Sequence, residues 1–62
     1  MTNVRLEAVL REAHAIEGDI RRHLLTATGI EAVAGKAAYR VAVALRKSVE
    51  GWIQARARGP QG

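Results

Sequence analysis

The sequence predicts an all-α protein: a two-helix antiparallel hairpin that completes a four-helix bundle or a larger helical assembly by homo-oligomerisation. Three observations predict it. Apolar residues recur at helical spacing along two long stretches that flank one clean break, Thr26-Ala27-Thr28-Gly29-Ile30-Glu31. The break is only a few residues long, so the helices fold back on one another. The chain has 62 residues and no cysteine, so a lone helix pair has little core and neither disulfide nor thiolate metal site to staple it. Self-association is then the leading remedy. One domain is expected over residues 1–58, with a disordered tail at 59–62.

The first helix is predicted over about 3–27. A step of about 100° per residue places Leu6, Val9, Leu10, Ala13, Ile16, Ile20, Leu24 and Ala27 on one arc. The opposite arc carries Arg11, Glu12, Asp19 and Arg22. That pattern is a helix with one face to bury, and Thr2 or Asn3 can cap its start. Glu17 is the anomaly, because its phase sets it among Leu10, Ala13, Ile20 and Leu24. An unpaired buried carboxylate is costly, so a partner is expected. Tyr39 and Arg40 are the candidates within the hairpin, and Arg21 is one from a second subunit. The structural reading, a polar residue that fixes register or oligomer state, is favoured over a catalytic or ligand-binding carboxylate.

The second helix is predicted over about 29–57. Thr28-Gly29-Ile30-Glu31 matches a capping box, in which the Thr hydroxyl accepts from an early amide and the Glu reaches back. Ala34, Ala38, Val41, Ala42, Leu45, Val49, Trp52 and Ile53 share one arc. Gly59-Pro60 ends the helix. A single bent rod is the alternative to the hairpin, but Thr26, Thr28 and Gly29 are poor helix-interior residues. Gly18 and Gly51 each weaken a helix by about 1 kcal/mol relative to Ala, which a bend or a close helix contact would explain. The expected core and oligomer interface is thus Leu6, Val9, Leu10, Ile16, Ile20, Leu24, Val41, Leu45, Val49, Trp52 and Ile53.

Composition narrows the function. Aromatics make up only 3% of the chain, which argues against a ring-lined pocket and for helices packed through small residues. His14 and His23 point to opposite sides of one helix and cannot chelate one metal. His23 sits where a strict heptad puts a core residue, so a partly buried interface histidine is expected there. No Ser-His-Asp set, paired-carboxylate cleft or metal cluster can be assembled, so no enzyme and no cofactor is expected. The stretch Gly29 to Ala37 fails as a phosphate-binding loop: the glycine spacing is wrong, Ala37 replaces the magnesium-binding hydroxyl, and no strand precedes it. A helix-hairpin-helix DNA motif fails too, because its compact glycine turn is missing. Charged residues at Arg5, Glu7, Arg11 and Glu12 interrupt any signal-peptide core. The longest apolar run, Val41 to Leu45, is far short of the roughly 20 residues that span a bilayer. The expected form is soluble and cytoplasmic.

Charge separates the two halves. The stretch before Ile30 is neutral, so the whole net charge of +4 lies beyond it. Lys36, Arg40, Lys47 and Arg58 fall within about 40° of one another on the second helix. Such a stripe can contact phosphates or can merely keep the protein solvated. In outline the hairpin is similar to the small plasmid-encoded Rop-type RNA-binding hairpin dimers; the resemblance covers length and topology only and assigns no family. Three readings follow. The first is a non-enzymatic homo-oligomeric adaptor, regulator or inhibitor whose helix faces bind itself and a further protein. The second is a nucleic-acid-binding regulator using the basic stripe. The third and weakest is a peripheral membrane binder using the basic amphipathic second helix.

Overall fold

The computed structural model describes residues 4–59. The expected caps Thr2 and Asn3, and residues 60–62 of the expected tail, lie outside the described residues. Two helices make up the described chain, α1 Val4–Leu24 and α2 Gly29–Ala57. They pack side by side and antiparallel, in a body of 50 × 20 × 11 Å. The shortest extent is one helix diameter, so the hairpin is a single layer. Charges suit the helix ends: Glu7 lies in the first turn of α1 and Arg21, Arg22 and His23 in its last, and Glu31 opens α2. Each sign opposes the partial charge of the helix dipole at that end.

α2 has the bounds the sequence predicts, whereas α1 stops at Leu24, short of Ala27. The reason is a tightened last turn. The amides of Leu25, Thr26 and Ala27 donate to the carbonyls of Arg22, His23 and Leu24 at 3.2–3.3 Å, the three-residue step that closes many helix ends. The Thr26 hydroxyl also donates to the His23 carbonyl at 3.5 Å, competing with further helix. Thr28 takes the extended N-cap conformation, with φ −138° and ψ 159°, but its side chain makes no cap hydrogen bond. The expected capping box is therefore absent. Gly29 explains it: its φ is +62°, left-handed rather than helical. Glycine adopts that conformation without a Cβ penalty. At the far end the Arg58 amide donates to the Gln54 carbonyl at 3.1 Å, and the Gly59 amide to that of Arg56 at 3.0 Å.

The helices meet along a seam whose residues alternate three and four apart, the coiled-coil period. On α1 the seam is Leu6, Leu10, Ala13, Glu17, Ile20 and Leu24; on α2 it is Gly35, Tyr39, Ala42, Arg46, Val49 and Ile53. Leu6, Ala13, Ala42 and Val49 are buried, and the others are half-buried. On α2 this seam is turned by about 70° from the arc that apolar counting predicts. Val41, Leu45 and Trp52 consequently lie outside the hairpin's own core, Val41 69% exposed and Trp52 54%; Val9 and Ile16 of α1 lie outside it too. What takes their place on the α2 side of the seam is Gly35, Tyr39 and Arg46. Gly35 lets the Leu24 side chain lie against the α2 backbone, since a Cβ there would stand 2.6 Å from Leu24 Cδ2. Gly18 and Gly51 have no such role, because a Cβ at either meets nothing within 4 Å.

Candidate interaction surfaces

The seam is crossed by a charged network centred on Arg46. Its Nε donates to Glu17 Oε1 at 2.6 Å, and its Nη1 donates to both carboxylate oxygens of Glu50 at 3.2 Å. His14 Nε2 stands 4.0 Å from Glu50 Oε2 and closes the network at the edge. The Glu17 side chain is only 12% exposed and that of Arg46 21%, so the pair sits within the packed interface. The hydrogen bond from Arg46 holds the Glu17 carboxyl below its ordinary value, against burial, which acts to raise it; the Arg46, Arg21 and His14 charges add to the lowering. The same bond, also opposed by burial, raises Arg46 above its ordinary value.

The partner of Glu17 is thus Arg46, and neither Tyr39 nor Arg40. The difference has a geometric cause. Helical side chains lean toward their own N-terminus. In α1 that direction leads away from the turn, and in α2 it leads toward it. Glu17 therefore meets an α2 residue farther from the turn than its own Cα level. The combined reach of a Glu and an Arg, on the order of 10 Å, spans about six residues at 1.5 Å each, which is the step from Arg40 to Arg46. Arg46 escapes apolar counting because it is charged, yet its signal is in the sequence: it continues the Tyr39-Ala42 spacing and lies four residues before Glu50.

The histidines occupy different edges. His14 joins the Arg46 network, while His23 is exposed and its Nδ1 lies 2.8 Å from the Asp19 carbonyl. The partly buried setting expected for His23 is not observed within the hairpin. Among the described residues no group of three or more His, Asp or Glu side chains is arranged to hold a metal ion, and no buried side-chain polar atom lacks a partner.

Several of the apolar residues left out of the seam, Val9, Ile16, Val41, Leu45 and Trp52, gather on one side. A groove of about 490 Å³ opens between the helices at the turn end. Ile16, Ile20, Leu24, Gly35 and Ala38 form its apolar walls. Asp19, His23 and Glu31 stand on its polar rim. Because Ile16 and Ala38 line one groove, the outer stripes of both helices share a side. On α2 that stripe continues through Val41 and Leu45 to Trp52, and on α1 it continues to Val9; Leu45 and Val9 are each 45% exposed. At the far end the Arg56 guanidinium stacks over Trp52, 5.5 Å from the ring centroid, a cation–π contact.

The basic stripe lies elsewhere. Lys36, Arg40, Lys47 and Arg58 are all exposed. By helical phase they are about 120° from the seam and about 140° from the open apolar stripe. α2 therefore carries three separate longitudinal surfaces: one packed on α1, one apolar and uncovered, one basic. Comparison with protein-family models, characterised proteins and solved structures finds no match. The fold and its surfaces define the class, an all-α helical hairpin. No helix among the described residues is long and apolar enough to cross a membrane.

Proposed function

We propose that this chain is a small non-enzymatic interaction protein that works as a homo-oligomer, acting as an adaptor, regulator or inhibitor through its helix faces. One observation carries the reading: a stripe of large apolar side chains runs along α2 from Val41 through Leu45 to Trp52, outside the hairpin seam, and is extended by Val9 and Ile16 of α1. Single exposed apolar residues are ordinary, but a contiguous apolar patch marks an interaction site. A second hairpin laid on this side would make a two-layer, four-helix unit and supply the core that one layer lacks. Charge spacing in the seam supports the same reading, since a polar pair among apolar heptad positions fixes register in assembling helices. A further protein partner would use whatever faces remain.

Light scattering across a dilution series tests it. The expected result is a mass at least twice that of the chain at micromolar concentration, reduced to the chain mass by Leu45→Glu. A folded, fully helical monomer at micromolar concentration would overturn the reading.

A second reading has its own observation. Lys36, Arg40 and Lys47 are exposed on a side turned away from the apolar stripe, so a paired hairpin would still present them. That supports binding to nucleic-acid phosphates, with an affinity that falls steeply as salt rises.

A further inference from the structure

We infer that the occupant of the open apolar face is a second, antiparallel copy of this chain, with the Trp52–Arg56 pair of each copy seated in the turn-end groove of the other. The inference rests on the homo-oligomer reading and adds to it an orientation and a reciprocal contact.

Both halves of the contact lie on one side of the hairpin. The groove sits at the turn end, with Ala38 in its wall. The projecting ring, Trp52, is half-exposed at the other end of the same stripe. Ala38 precedes Leu45 by seven residues and Trp52 follows it by seven, about 10 Å in either direction at 1.5 Å per residue. A two-fold axis lying in the face and crossing α2 at Leu45 therefore brings each Trp52 to the other copy's Ala38. The two Leu45 side chains then meet on the axis. Such an interface is isologous and closes at two copies. The groove volume of about 490 Å³ is within the range of clefts, roughly 300–1,000 Å³, that enclose a ring-sized group.

Charge selects the same orientation. Glu31 stands on the groove rim and has no ion-pair partner among the described residues; the other rim carboxylate, Asp19, already holds Arg22. Arg56 lies one helical turn beyond Trp52, with its guanidinium 5.5 Å from the ring centroid. In the antiparallel arrangement Arg56 of one copy comes within side-chain reach of Glu31 of the other, twice per dimer. A parallel arrangement sets carboxylate beside carboxylate at one end and guanidinium beside guanidinium at the other. It also leaves both grooves empty.

The chain's lack of cysteine and its single tryptophan make the test direct. Under mild oxidation Leu45→Cys should form a covalent dimer, and Ala38→Cys should not. Trp52 emission should shift to the blue as concentration rises through the dimerisation range. Glu31→Arg and Arg56→Glu should each weaken the dimer about tenfold, as expected for an interfacial charge turned against its partner. The double variant Glu31→Arg/Arg56→Glu should recover most of the affinity. Helical circular dichroism of each variant separates lost association from lost folding. A dimer in which Ala38→Cys cross-links and Leu45→Cys does not, or in which the double reversal fails to rescue, overturns the antiparallel contact while leaving homo-oligomerisation standing. A helical monomer at every concentration overturns both.

Discussion

A glutamate in a helix seam has two ways to persist: it can be left out in water, or it can be bonded. Glu17 takes the second. Its carboxylate is spoken for by Arg46, which argues for a role in register. The pairing also changes what a substitution does. Replacing Glu17 alone by Leu leaves Arg46 half-buried with Glu50 as its remaining acceptor, so Glu17→Leu should lower stability. The joint change Glu17→Leu/Arg46→Leu removes both charges and should equal or exceed the parent, as paired replacements of buried ions often do. Denaturant titration of the three variants checks the order. The pH dependence has a definite sign. The folded Glu17 carboxyl is held below its ordinary 4.5, so its contribution is complete above about that pH and is lost as pH falls through the lower folded value. Stability measured by urea unfolding should drop between neutral pH and pH near 3, and Glu17→Gln should flatten part of that drop. That Glu17 faces the seam was legible from its phase alone. Its partner was not, because phase gives a side chain's direction around the helix and not its lean along the axis.

The two helices themselves were largely legible, because period and break act locally. α2 has its predicted bounds, and among the described residues α1 differs at the turn, where three amides bond one residue tighter. The mechanism of the break was not legible. A capping box and a left-handed glycine compete for the same four residues, and only backbone geometry shows that Gly29 wins. Two predictions separate them. Thr28→Ala removes no observed cap bond and should cost much less than the roughly 1 kcal/mol of a true cap. Gly29→Ala must place a Cβ in the left-handed region and should cost about 1–2 kcal/mol. The helix-interior glycines divide in the same way. Gly18→Ala and Gly51→Ala meet open space and should each stabilise by about 0.5–1 kcal/mol. At Gly35 the same gain in helix propensity is offset, because the new methyl must displace Leu24 Cδ2. Thermal unfolding followed by circular dichroism should rank Gly18→Ala and Gly51→Ala above Gly35→Ala.

At the scale of the whole molecule, the orientation of α2 decides what the protein offers to others. Apolar counting treats every Val, Leu and Trp as a vote for the core, and so points the seam at Val41, Leu45 and Trp52. The folded hairpin keeps Ala42 and Val49 but turns toward Gly35, Tyr39 and Arg46, where a close backbone approach and an ion pair are both available. The turn leaves Val41, Leu45 and Trp52 on one outer face and the cations on another. That separation yields an expectation which neither surface gives alone: the two should respond independently to substitution. Lys36→Glu/Arg40→Glu/Lys47→Glu should leave the self-association mass unchanged while abolishing binding to short duplex DNA or RNA. In the parent, the logarithm of that affinity should fall with the logarithm of salt, with a slope near −0.9 per neutralised phosphate on duplex DNA. Leu45→Glu should do the converse at the level of mass. If pairing also doubles the basic surface, it should steepen the salt dependence, because more phosphates are contacted per duplex. A triple reversal that dissociates the oligomer would mean that the basic stripe belongs to the interface, and the division of α2 into separate faces would have to be redrawn.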